Sequence, residues 1–316
     1  MSLALLCSGQ GRQDRGTFTL LADEPAARPI LDAATAPLGT DPAEFCRTAP
    51  EETLHANRAG QILCATRALA AAAALFPDGA PQGTIVAGYS VGEMAAWGIA
   101  GVWSPIDTLV LVERRAKAMD MAGGSDDQLA LVRGLARETV ERLARRFDCA
   151  IAIVNPGRLF IVGGTRAATE AFCAAALEAG AARAGPMSVR VASHTPRLAG
   201  AVAPFATALA AVPAKAPALR LMTASGATLV TRPDRALAGL AAQLAETIDW
   251  AAVLEALAER GVTTILELGP GRALADMAAA TLPTAEVRAL DDFHSLAGAR
   301  AWLKDHLGRC TAGVGE

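Results

Sequence analysis

Thr84-Ile85-Val86-Ala87-Gly88-Tyr89-Ser90-Val91-Gly92-Glu93 is the stretch on which the reading of this chain turns. Residues 84–87 form a short apolar run of the kind that makes a buried strand, and residues 91–100 are small enough for a closely packed helix. Between them lies a Gly-x-Ser-x-Gly pentapeptide. A strand that turns at once into a helix holds its central serine in a strained conformation with the hydroxyl exposed. Glycines on both sides let the helix and the neighbouring strands approach. The helix N-terminus and the backbone N–H of Val91 then face negative charge developing at the serine. Ser90 is therefore the candidate nucleophile, expected to carry an acyl group; a glycine-rich turn without chemistry is the plain alternative.

Outward from this stretch, strands and helices alternate. Residues 3–7 read as a buried strand closed by the turn Ser8-Gly9-Gln10-Gly11. Residues 61–75 read as an alanine-rich helix, and Pro105 opens another that runs to about 121. Such alternation predicts an α/β fold with a parallel sheet covered on both faces. From 128 to 192 the pattern changes to strand (128–132), helix (137–147), strand (150–154), strand (159–162), helix (166–179) and strand (188–192). The turn Asn155-Pro156-Gly157 separates the middle strands. This βαββαβ order is that of a ferredoxin-like unit. The expectation is thus a larger α/β-hydrolase-like domain, 1–126 and 193–316, with a ferredoxin-like subdomain inserted over 127–192. The larger domain resumes with a helix over 204–211, a strand at 219–223, a helix over 250–260, a strand at 264–268 and the turn Gly269-Pro270-Gly271.

Composition narrows the classes of function. Hydrophobic residues make up 52% of the 316, enough for a sizeable core, and the 29 basic against 32 acidic residues leave no basic field suited to nucleic acid. The opening run lacks a basic leader and a cleavage site, and the alanine-rich stretches are too short to span a bilayer. A soluble cytoplasmic protein is expected. The cysteines at 7, 46, 64, 149, 173 and 310 form no CxxC pair. They read as free thiols in a reducing compartment, so neither a metal site nor a bound cofactor is expected.

A serine nucleophile needs a base. His194, where the inserted unit returns to the larger domain, is placed on a natural cleft wall. His294 after Asp291-Asp292 is its rival, while His55 has no such context and His306 lies in a polar C-terminal helix. Gly9-Gln10-Gly11 can bring backbone N–H groups close to the serine, or can be a tight turn with no further role. Arg114 and Arg115 sit mid-helix about 100° apart, so one can be solvated while the other points inward to grip a carboxylate; two surface charges, or a pair with Glu113 within the helix, are the plain alternative.

Taken in order, these residues resemble the malonyl-CoA:acyl carrier protein transacylases and the acyltransferase domains of polyketide synthases, over nearly the whole length. Ser8-Gly9-Gln10-Gly11-Arg12-Gln13 is similar to that family's PGQGSQ, and Gly88 to Glu93 to its GHSxGE. The resemblance implies that Arg115 binds the substrate carboxylate, that His194 is the base, and that Gln61 is an active-site glutamine. It implies too that the backbone carbonyl of Gln243 orients His194, and that the amides of Gln10 and Val91 form the oxyanion hole. Glu267-Leu268-Gly269-Pro270-Gly271 matches the closing strand and turn. Tyr89 for histidine, Ser8 for proline, Arg12 for serine and Ile62 for proline are departures. Together GYSVGE and SGQG look like the epsilon subunit of malonate decarboxylase.

That branch implies malonyl transfer from malonyl-CoA through Ser90 to a carrier protein bearing a phosphopantetheine-type or CoA-like prosthetic thiol. The other decarboxylase subunits would then be further partners. The alternatives are a fatty-acid-synthesis transacylase, or an α/β-hydrolase-type thioesterase or esterase with His294 as its late histidine. A subunit that keeps the fold only to bind partners is the non-enzymatic reading.

Overall fold

A computed structural model describes residues 2–307; Cys310 lies outside them. Five strands make the first sheet: β1 (Leu3–Cys7), β2 (Ile85–Gly88), β7 (Arg220–Met222), β9 (Thr264–Glu267) and β10 (Glu286–Ala289), in the order β10-β9-β1-β2-β7. Every pair is parallel. Helices cover the sheet, which is why β1 and β2 are apolar throughout rather than alternating.

Register sets the site. Cys7 lies opposite Gly88, and Leu6 opposite Glu267, so β1, β2 and β9 end at one level. Their loops crowd together at the carboxyl edge of the sheet, where open α/β sheets form their crevices. The helices that press on this edge are Asn57–Leu75, Gly92–Ile99 and Pro105–Ala122.

The second sheet holds β3 (Asp127–Arg133), β4 (Ala150–Asn155), β5 (Leu159–Thr165), β6 (Arg183–Pro186) and β8 (Ile248–Asp249), in the order β6-β3-β5-β4-β8. The first four strands pair antiparallel. With helices Arg137–Arg146 and Arg166–Glu178 they give the βαββαβ arrangement of a ferredoxin-like unit. Side chains along these strands alternate between two cores. Ala130, Val132, Phe160 and Val162 pack against the unit's own helices. Leu129 and Ile161 face the other way and share a core with Leu6, Ile85, Ala87 and Trp250 of the larger domain.

In the second sheet two details differ from the sequence reading, and in the larger domain the helix expected over 204–211 runs from Ala199 to Ala210. The last strand of the unit is Arg183–Pro186, not 188–192. Its ladder with β3 ends at Pro186, opposite Ala130, after which Met187 and Val189 exchange only isolated bonds with Leu129. The Val189 and Val191 alternation that suggested a strand comes from burial of both side chains in a chain already peeling back to the larger domain. The second sheet also gains β8, parallel to β4, from beyond residue 192. We retain 127–192 as the proposed limits of the inserted unit, with β8 as the stitch that ties it down.

Among the described residues no helix is long and apolar enough to cross a membrane.

Candidate active site

Ser90 follows β2 after one residue and has φ 56°, a left-handed conformation. The pentapeptide glycines make this turn possible. A Cβ on Gly92 would lie 2.0 Å from the carbonyl oxygen of Cys7, and one on Gly88 would lie 2.1 Å from the carbonyl carbon of Gly92. Both obstacles are backbone, which cannot step aside. The helix thus packs directly on the ends of β1 and β2, with Ser90 at its head.

Ser90 Oγ lies 2.8 Å from Nε2 of His194. On the other side of the ring, Nδ1 lies 2.5 Å from the backbone oxygen of Gln243. A carbonyl can only accept, so Nδ1 carries the proton and Nε2 is left free to accept from the serine hydroxyl. The His194 backbone is clamped as well: its N–H donates to the Leu244 carbonyl at 2.8 Å, and its φ is 61°. Burial, then the positive charge of Arg115, push its pKa down to about 3, against the Gln243 hydrogen bond. The imidazole is therefore neutral at physiological pH, the form a general base requires.

The two arginines of the Pro105–Ala122 helix separate as adjacent helical positions must. Arg114 is exposed and Arg115 is 1% exposed. Nη1 of Arg115 donates to Gln61 Oε1 at 2.5 Å and contacts Met119 Sδ at 3.3 Å, while its Nη2 has no partner among the described residues. Gln61 is held in turn by Asn57 Oδ1 at 2.6 Å. A buried guanidinium with one fork tip fixed and the other empty is built to receive an anionic oxygen. Burial brings its pKa down to about 10, opposed by the nearby Glu93 carboxylate.

Gln10 and Val91 flank the serine, and neither backbone N–H donates to a protein group among the described residues. Gly9 lets the loop close on the elbow, since a Cβ there would lie 2.9 Å from the Tyr89 carbonyl oxygen. A cavity lined by Gln10, Tyr89, Ser90, Leu129, Ile161 and Ser193 lies between Ser90 and the second sheet. Tyr89 takes part in that lining. It packs edge-on against Trp250 at 5.4 Å, with its hydroxyl turned to Asn155, and so joins the two sheets.

Of the other histidines, His294 is exposed and His306 is engaged with the Trp302 carbonyl at 2.7 Å. Neither meets Ser90. One neighbour carried no role in the sequence reading: Glu93, fully buried one turn after Ser90. An acid in a helix otherwise made of small and apolar residues was the available sign.

Comparison with known proteins places this geometry. The sequence profile of the acyl transferase domain family matches residues 4–298. The malonyl CoA-acyl carrier protein transacylase of Escherichia coli (strain K12) is 29% identical over 306 residues, covering 94% of this chain and 98% of that one. The crystal structure of the acyl-carrier-protein S-malonyltransferase of Burkholderia pseudomallei superposes with a TM-score of 0.88 at 30% identity, over 95% of this chain and 100% of that one. A malonyl-transacylase solved in complex with its type II PKS acyl-carrier protein gives a TM-score of 0.89 at 26% identity, over 95% of this chain and 99% of that one.

Proposed function

Because the chain belongs to the acyl transferase domain family, we propose that it moves a malonyl group from malonyl-CoA, through an acyl-enzyme at Ser90, to the prosthetic thiol of an acyl carrier protein. The observation that carries this reading is a serine–histidine pair at 2.8 Å beside a buried arginine with a free Nη2. The pair supplies acyl transfer and the arginine supplies the demand for an acyl group that bears a carboxylate.

In the first half-reaction His194 Nε2 takes the Ser90 proton as Oγ attacks the thioester carbonyl. The oxyanion falls to the amides of Val91 and Gln10, donors of a kind each worth roughly a hundred- to a thousand-fold in rate. When the tetrahedral intermediate collapses, the CoA thiolate leaves and takes the proton from His194. The carrier's thiol then enters, gives its proton to His194, and displaces Ser90 by the same steps in reverse. Gln243 supplies a neutral carbonyl where many serine enzymes place a carboxylate, so the imidazolium that forms at each step has no adjacent anion.

Two carriers divide the reading. Names of the similar proteins speak of an acyl carrier protein and favour a fatty-acid-synthesis transacylase. Ser8 and Tyr89, the departures shared with the malonate decarboxylase epsilon subunit, favour a carrier with a CoA-like prosthetic group and the other subunits of that complex. Offering the malonyl-enzyme a phosphopantetheine-loaded acyl carrier protein and a decarboxylase-type carrier, and weighing each by mass spectrometry, tests both. Malonyl on the first carrier supports the transacylase, malonyl on the second the decarboxylase branch, and malonyl on neither overturns the transfer step.

A further inference from the structure

The base of this site is oriented by a carbonyl, and a carbonyl is only as well placed as the chain that bears it. Gln243 sits at the end of the helix Pro233–Ala242, in a segment with no strand to hold it. Its side chain is buried, and Nε2 donates to Glu93 Oε2 at 3.0 Å. The same oxygen accepts from the Ala224 N–H at 2.9 Å, just beyond β7. Trp97 Nε1 reaches the other oxygen, Oε1, at 3.3 Å. Glu93 in turn belongs to the helix headed by Ser90.

One buried carboxylate therefore ties three pieces of the site: the helix of the nucleophile, the loop after β7, and the segment whose Gln243 and Leu244 carbonyls clamp His194. We propose that Glu93 is the positioning residue of the Ser90–His194 pair, acting through the Gln243 side chain to hold the Gln243 carbonyl against His194 Nδ1. It occupies the place in the chain of support that a triad carboxylate occupies elsewhere, but one residue removed from the imidazole, which stays neutral at rest. This inference rests on the proposed reading of Ser90 and His194. It accounts for a buried acid that no step of the acyl transfer uses.

Removing the acceptor, and separately the donor, decides the matter. Oε2 accepts from both Ala224 and Gln243, so in Glu93→Gln an amide oxygen in its place keeps the tether and the NH2 faces Trp97, whereas Glu93→Ala removes the acceptor. In Gln243→Ala the carbonyl remains and only the tether goes. A fluorophosphonate probe reads the Ser90–His194 pair without any acyl preference: Oγ bonds to phosphorus, fluoride leaves, and His194 takes the serine proton.

Glu93→Ala and Gln243→Ala are each expected to slow the maximal labelling rate roughly 10- to 100-fold, as loss of a buried hydrogen bond would, with the probe's half-saturation concentration unchanged. Glu93→Gln, which keeps an acceptor at the Oε2 position, is expected to retain most of the wild-type rate. If Glu93→Ala fails to fold by circular dichroism, Gln243→Ala carries the test. A folded Glu93→Ala or Gln243→Ala that labels at the wild-type rate, or a folded Glu93→Gln as slow as Glu93→Ala, overturns the inference alone. A wild-type Ser90 that does not label overturns the nucleophile assignment itself, and the inference falls with it.

Discussion

Replacing Arg115 by alanine is the perturbation whose size the structure fixes best. The guanidinium is 1% exposed, one nitrogen is spent on Gln61, and Nη2 has no partner among the described residues. A malonyl carboxylate seated there completes a buried ion pair, and removing one partner of such a pair costs about 3–5 kcal/mol. That corresponds to roughly two to four powers of ten in kcat/KM. An acetyl group gains nothing from the arginine and must leave its Nη2 unsatisfied, so acylation by acetyl-CoA is expected to hold or rise. The variant also strands Gln61 Oε1, and its melting temperature should fall. The ratio of malonyl to acetyl kcat/KM cancels that general loss, since both substrates meet the same weakened protein. Rapid-quench acylation with each labelled thioester, in wild type and Arg115→Ala, gives the ratio. A drop of about a hundredfold or more is expected; an unchanged ratio in folded protein would refute the assignment of the arginine.

The same geometry makes further outcomes specific. His194→Ala should lower Ser90 acylation by about three to four powers of ten, in line with loss of a catalytic base, whereas His294→Ala should acylate as wild type does. The reverse pattern in a single-turnover assay would point to the hydrolase arrangement. The folded pKa of His194, about 3, lies below the ordinary 6.5, so between those values the unfolded chain binds a proton that the folded one refuses. Stability should therefore fall as pH drops below 6.5, by up to about 1.4 kcal/mol per unit from this residue. Urea titrations between about pH 6 and 4 should show a shallower decline in His194→Gln, and an identical slope would contradict a buried neutral ring. Gly92→Ala drives a methyl into the Cys7 carbonyl and should destabilise by about 3 kcal/mol or more. A melting temperature equal to wild type would mean that the elbow is not packed as described.

What the sequence disclosed and what it hid follow from the range of the interactions. Strands β1 and β2 and the serine turn were legible because fully buried parallel strands and a Gly-x-Ser-x-Gly elbow are each encoded locally, within a few consecutive residues. Ser90 and His194 are 104 residues apart, yet the elbow demanded a base and only four histidines were available. Two-residue β8 is too short to carry a period, and 188–192 imitated a strand because burial alone spaced its valines. Helix Arg28–Leu38 went unread although Pro29 opens it and a left-handed Gly39 follows it; it has no side-chain N-cap and contains Pro37 near its end. Glu93 was visible as an acid among small residues, but its partners Ala224 and Gln243 are 131 and 150 residues away. Tyr89 likewise could not reveal that its ring would pack on Trp250, far along the chain.

All of this converges on one covalent event at the turn between β2 and its helix. The most direct test is to mix the protein with malonyl-CoA, quench within seconds, digest, and locate the added mass. Malonyl on Ser90, absent in Ser90→Ala and scarce after acetyl-CoA, is the result expected. A folded protein that takes no malonyl group, or takes it on another residue, would contradict the account at its centre.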